Sequence, residues 1–290
     1  MNQFTPMRAR AEAEAARLPP LLAEAEHLAG TVLLGDHGRR RSGTGDDFWQ
    51  YRPVQPGDTV RMIDWRRSAK SDTQFVRERE WQVAQSVMLW VDRAASMRFS
   101  SEKNLPLKID RAKILGLAIT ILLNRGGERV GLTGGGLPPR RGEVQILRIA
   151  EALREDDHQD YAEPEARAML PHARAVFISD FLGDLGAIKA ALLKAADRGI
   201  KGLLVQVLDP AEEGFPFHGR TIFQSMGESV THETLNASDL KTDYLNRLAA
   251  RKAELQHLCD STGWQYLCHH TNSPAQSALL WMHRALEGSA

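Results

Sequence analysis

Three oxygen-bearing side chains have the spacing of a chemical site. Asp92 and Ser96 stand four residues apart in Asp92-Arg93-Ala94-Ala95-Ser96, and Asp180 closes Ile178-Ser179-Asp180. A carboxylate and a hydroxyl on one tight strand-to-helix loop can point at a single spot. A second carboxylate from a neighbouring strand can join them there. Hard cations such as Mg2+ accept such oxygens and keep several waters. The same residues would also serve as caps of the segments that follow them. Both readings stand at this point. No nucleophile or general base neighbours either aspartate in the sequence, so a metal-dependent hydrolase using Asp92 and Asp180 is the alternative rather than the first expectation.

The elements around these residues explain why they should converge. Apolar runs at Ser86–Val91, Arg129–Thr133, Ala173–Ser179, Gly202–Leu208 and Trp264–His269 read as short buried strands. Between them lie amphipathic helices, about Leu107–Leu123, Val144–Leu153, Asp184–Arg198, Ala237–Ser261 and Ser273–Leu286. This alternation predicts an α/β fold, a mostly parallel Rossmann-like sheet with helices on both faces. Ligands of such sheets sit outside the carboxyl ends of the strands, which is where Asp92 and Asp180 fall. Residues 1–84 read as an extension. It holds a helix over Pro6–Arg17, a second over about Pro20–Leu34, and an edge strand over Gln74–Glu80. The α/β domain is expected over 85–290.

Composition sets the outer bounds. The 290 residues are 42% hydrophobic and 26% charged, which excludes a disordered chain or a fibre. Lys plus Arg equals 37 and Asp plus Glu equals 37, so no global attraction to nucleic acid or anionic lipid is expected. Two cysteines, Cys259 and Cys268, do not indicate an oxidising compartment. Met1–Arg10 lacks the apolar run of a signal peptide. Ile114–Leu123 is about half the length of a bilayer span. A cytoplasmic protein is expected.

The most distinctive text runs from Gly45 to Glu80. Arg52, Pro56, Gly57, Asp58, Arg61, Ile63, Asp64, Trp65, Ser68, Ala69, Arg77 and Glu78 follow in a fixed order. Pro56-Gly57-Asp58 is a turn signal, and Arg61, Asp64, Arg66 and Arg67 are close enough to pair. Trp65 is expected to plug the segment onto a sheet face. The segment resembles the bacterial family called domain of unknown function 58, over roughly residues 43–290; Val54 departs from the aromatic usual there. The strand-end aspartates resemble the metal-ion-dependent adhesion site of von Willebrand factor A domains. Asp92 and Ser96 match the outer positions of that site's first motif, Ala94 replaces its middle serine, and Asp180 matches its later aspartate. The matching threonine has one nearby candidate, Thr133.

The resemblance implies a von Willebrand factor A-like domain that binds protein rather than catalysing a reaction. It implies a MoxR-type AAA+ ATPase as partner in the chaperone-like maturation of other proteins. It implies Mg2+ or another divalent cation held weakly by Asp92, Ser96 and Asp180. Arg52, Asp58, Arg61, Asp64 and Trp65 are the candidate partner-binding residues, or else a rigid network that holds the extension together. An RNA-binding role is the third reading. Arg39-Arg40-Arg41 lacks accompanying stacking aromatics, so a solvated loop explains it. Gly134-Gly135-Gly136 lacks the ending of a phosphate loop. His257, Cys259, Cys268, His269 and His270 lack zinc-knuckle spacing.

Overall fold

A computed structural model describes residues 20–32, 42–43, 47–55, 58–71, 73–80, 85–157, 159–164, 169–224 and 231–288. The expected helix over Pro6–Arg17, the arginines 39–41 and the turn residues Pro56 and Gly57 lie outside that set.

The chain divides into two compact units, one of residues 1–35 with 85–289 and one of residues 36–84. The larger unit is built on a six-stranded sheet. Its strands are β4 (Ser86–Val91), β5 (Arg129–Leu132), β6 (Leu137–Arg140), β7 (Arg174–Ser179), β8 (Lys201–Leu208) and β11 (Gln265–His270), in the order β11-β8-β7-β4-β5-β6. All neighbours pair in parallel except β6, which runs antiparallel to β5 at one edge. The expected mixed α/β architecture with a mostly parallel sheet is therefore present. The strand β6 was not foreseen, because Pro138 and Pro139 argue against a strand; an edge position tolerates them.

Each central strand is buried on both faces, as crossover helices require. Val87, Leu89 and Val91 of β4 pack in one core with the helices Lys108–Arg125, Glu143–Ala152 and Ala275–Gly288. Met88 and Trp90 of the same strand pack in the second core with Leu192, Leu255 and Trp264. The helix Pro20–Gly30, which the sequence reading groups with residues 1–84, belongs to the larger unit. Its Leu22, Ala25 and Ala29 join the first core. The helix Lys108–Arg125 lies very close to β4. A Cβ on Gly116 would stand 2.7 Å from Val91 Cγ2. A hairpin of β9 (Thr221–Gln224) and β10 (Thr231–Thr234) follows β8, in a stretch whose periodicity gave no strand.

The smaller unit holds a three-stranded antiparallel sheet, order β1-β3-β2, of Ser42–Gly43, Phe75–Glu80 and Asp47–Pro53. The strand expected over Gln74–Glu80 is present as Phe75–Glu80, but it is the central strand, paired on both sides, rather than an edge; β2 was not expected. Mixed aromatic and charged residues hide its alternation. Arg52 grips Asp58 through two bonds of 2.6 and 2.7 Å, and Gln55 N donates to the same carboxylate at 2.7 Å. Asp64 caps the short helix Trp65–Ser68 by accepting from Arg67 N at 2.9 Å. The Arg67 guanidinium lies 5.6 Å from the ring centres of Tyr51 and Phe75. The anchoring role expected of Trp65 is overturned. Trp65 is 56% exposed, and the buried residue of that helix is Ser68, whose Oγ accepts from Phe75 N.

Candidate functional site

The sheet reverses its order of growth between β4 and β7. The chain leaves β4 to form β5 on one side, then returns to lay down β7 on the other. Such a switch point opens a crevice at the strands' carboxyl ends. Asp92 follows β4 there and Asp180 follows β7, as their sequence positions require.

Asp92 is 2% exposed and faces inward. It accepts from Ser179 Oγ at 2.6 Å and from Ala94 N at 2.9 Å. Burial, with the neighbouring Asp180 charge second, raises its carboxyl from 3.8 to about 6. Ser179 Oγ also accepts from Phe181 N, so the two strand ends are tied through one hydroxyl. Asp180 is 1% exposed. One oxygen accepts from Leu182 N at 3.0 Å, and its backbone carbonyl accepts from the buried Gln206 amide at 2.7 Å.

The other Asp180 oxygen meets a residue that sequence reasoning missed. Lys108 Nζ donates to Asp180 Oδ2 at 2.9 Å and to Glu212 Oε1 at 2.7 Å, and the lysine side chain is 1% exposed. A lysine in the first turn of a helix opposes the helix dipole. Two carboxylates offset that cost and the cost of desolvation. Burial alone would lower the Lys108 ammonium, but Asp180 and Glu212 outweigh it and hold the group above its ordinary value. Glu212 comes from the short helix Pro210–Gly214 after β8. Its second oxygen accepts from Asp209 N at 2.8 Å, and Asp209 accepts in turn from Ala211 N, completing a capping box. Burial raises the Glu212 carboxyl.

The residues nominated as metal ligands thus meet protein donors. Asp92 is engaged by Ser179 and Ala94, and Asp180 by Leu182 and Lys108. Ser96 stands beside them with its Oγ buried and without a hydrogen-bond partner. Thr133 Oγ1 donates to the Leu89 carbonyl at 3.2 Å and is committed to the sheet. This donor set fits an ammonium between the carboxylates, and it does not fit an open divalent site.

Above the charged floor lies a cavity of about 620 Å³, bordered by Ser96, Lys108, Tyr161, Asp180 and Glu212. Its wall is aromatic. Phe215 lies 5.2 Å from Phe217, 5.8 Å from Phe223 and 5.0 Å from Tyr244, centre to centre. Phe99 sits under the Lys108 ammonium at 5.8 Å. Burial, with Glu212 second, pushes the Tyr244 hydroxyl up to about 12. Phe181 and Phe215 both take positive φ, 51° and 42°. Each follows one of the floor carboxylates within three residues. Non-glycine residues hold that conformation only where the surroundings over-determine it, and such places cluster at functional sites.

A second cluster joins Glu213, Cys268 and His270, with ligand atoms all within 4.8 Å of one another. His270 Nε2 lies 2.7 Å from Glu213 Oε2, and Lys252 also bonds Glu213. Of the five histidines and cysteines singled out in the sequence, only Cys268 and His270 belong to it. Cys259 is in the core, and His269 is buried beside Arg111, at about 4, lowered by burial first. Lys252 hydrogen-bonds both Glu213 and Cys268 of this cluster. Arg52, Asp58, Arg61, Asp64 and Trp65 all lie in the smaller unit, where Arg61 and Trp65 are exposed.

Comparison with known proteins places the chain in context. A family described as "Protein of unknown function DUF58" matches residues 50–254. Uncharacterised proteins of Mycobacterium bovis and Mycobacterium tuberculosis are 29% identical over 259 residues, covering 83% of this chain and 80% of theirs. An aerotolerance-related membrane protein from Bacteroides fragilis superposes with a TM-score of 0.44 at 18% identity, over 71% of this chain and 100% of its own. The conserved hypothetical protein BatB from Bacteroides thetaiotaomicron gives 0.40 at 14% identity, over 69% and 98%.

Proposed function

The chain belongs to the DUF58 family of proteins of unknown function, and from that premise we propose that it is a non-enzymatic protein-interaction module. The partner enters the cavity at the carboxyl edge of the sheet. The observation that carries this reading is the cavity itself, open, aromatic-walled and floored by Asp180, Lys108 and Glu212. Pockets of this size with a few convergent polar groups are the usual form of a binding site. Ser96 is the hydroxyl beside the floor, and its Oγ has no base bonded to it, which favours binding over nucleophilic catalysis.

In this reading the larger unit is a von Willebrand factor A-like domain in which the Lys108 ammonium does the work of a divalent ion. The family resemblance supplies the partner, a MoxR-type AAA+ ATPase acting in the chaperone-like maturation of other proteins. No helix of the described residues is long and apolar enough to cross a membrane.

The test is capture of partners by the tagged protein from its own cells, in Mg2+ and in EDTA, read by mass spectrometry. The expected result is an AAA+ ATPase retained in both conditions by the wild type and lost from a folded Asp180→Asn variant. Equal capture by the variant would remove the cavity from the interaction. Capture in Mg2+ alone would restore the metal.

A further inference from the structure

We infer that the cavity at the switch point takes an arginine side chain from a partner's peptide. This rests on the interaction reading above and gives it a chemistry. The carboxylates that line the cavity are Asp180, Glu212 and Asp243, and the Lys and Arg side chains are Lys108 and Arg247, with Tyr161, Tyr244 and His232 beside them. Three carboxylates against two cations leave one net negative charge.

An acidic ligand would meet that charge in a low-dielectric pocket and be repelled. A purely apolar ligand would fill the aromatic wall but leave the net negative charge of the lining unanswered. A guanidinium satisfies both demands. Its plane stacks on rings such as those of Phe217, Phe223 and Tyr244, and its positive charge offsets that of the lining. Its aliphatic stem covers apolar wall on the way in. Phe181 and Phe215 are held at positive φ by their surroundings, so floor and wall are fixed before the ligand arrives.

The experiment titrates the full chain with Nα-acetyl-arginine amide, Nα-acetyl-norleucine amide and Nα-acetyl-glutamate amide, followed by chemical shifts. The arginine probe is expected to bind at least about tenfold more tightly than norleucine, with no glutamate binding. Glu212→Gln should weaken arginine about tenfold and leave norleucine unchanged, whereas Phe217→Leu should weaken both. Thermal melts establish that each variant is folded. Norleucine binding as tightly as arginine, preferred glutamate binding, or no binding of any probe would each overturn the inference. If those outcomes coincide with partner capture that Asp180→Asn still abolishes, the arginine chemistry fails and the interaction reading stands. Arginine binding with partner capture indifferent to Asp180→Asn would separate them the other way.

Discussion

Two ionic clusters in this molecule both join a cation to carboxylates and behave oppositely. In the smaller unit Arg52 holds Asp58 across six residues of chain, and its guanidinium lowers the Asp58 carboxyl to about 2. In the larger unit Lys108 joins Asp180 and Glu212 across 72 and 104 residues, with the lysine and Asp180 each 1% exposed. The first cluster fixes a local turn at the surface, where water would serve its charges nearly as well. The second exists only in the folded state, and removing Lys108 leaves two buried carboxylates without their cation. Distinctive sequence therefore marks local geometry here, while the group of residues best placed for function is assembled by topology.

The sharpest way to break this contrast is to remove one cation from each cluster. Lys108→Met should destabilise the fold by about 3–5 kcal/mol in chemical denaturation, because Asp180 and Glu212 then face each other without compensation. Adding Asp180→Asn and Glu212→Gln to it should recover most of the loss. Arg52→Met should cost clearly less than Lys108→Met, because Asp58 keeps its bond from Gln55 N and some access to water. Equal losses at the two sites would erase the distinction.

Acidity sharpens the comparison next. The Asp92 carboxyl rises from 3.8 to about 6 on folding. The folded state therefore holds its proton more tightly than the unfolded state. The stability tied to that proton is full below about pH 4 and is lost as pH rises through about 6. Asp92→Asn cannot ionise, so its stability relative to wild type should improve by up to about 3 kcal/mol between pH 4 and pH 7. A flat difference across that range would mean that Asp92 is not desolvated as described. A smaller effect is expected at Ser179. Ser179→Ala removes the hydroxyl that joins Asp92 to Phe181 N, and should cost about 1–2 kcal/mol at neutral pH.

Much of the larger unit was legible because parallel strands are apolar on both faces and end where polar residues resume. Those endings gave Asp92 and Asp180 together with their convergence. Lys108 was not legible. A lysine opening a helix reads as a solvated end, and only the register of β7 and β8 brings two carboxylates to it. Glu212 is half visible, since Asp209-Pro210-Ala211-Glu212 spells a capping box, but its second bond to Lys108 is tertiary. In the smaller unit the turn signal Pro56-Gly57-Asp58 falls largely outside the described residues, and the bonds that Asp58 makes with Gln55 and Arg52 were not legible in it. The anchoring role given to Trp65 failed because a four-residue helix has too little length to bury its first residue.

The central claim is that Lys108 is the site's own cation. Calorimetric titration of Mg2+ into wild type and into Lys108→Ala tests it most directly. The account predicts no binding to wild type and binding to the variant, lost again when Asp180→Asn is added. Binding of Mg2+ to wild type that disappears with Asp180→Asn would contradict it.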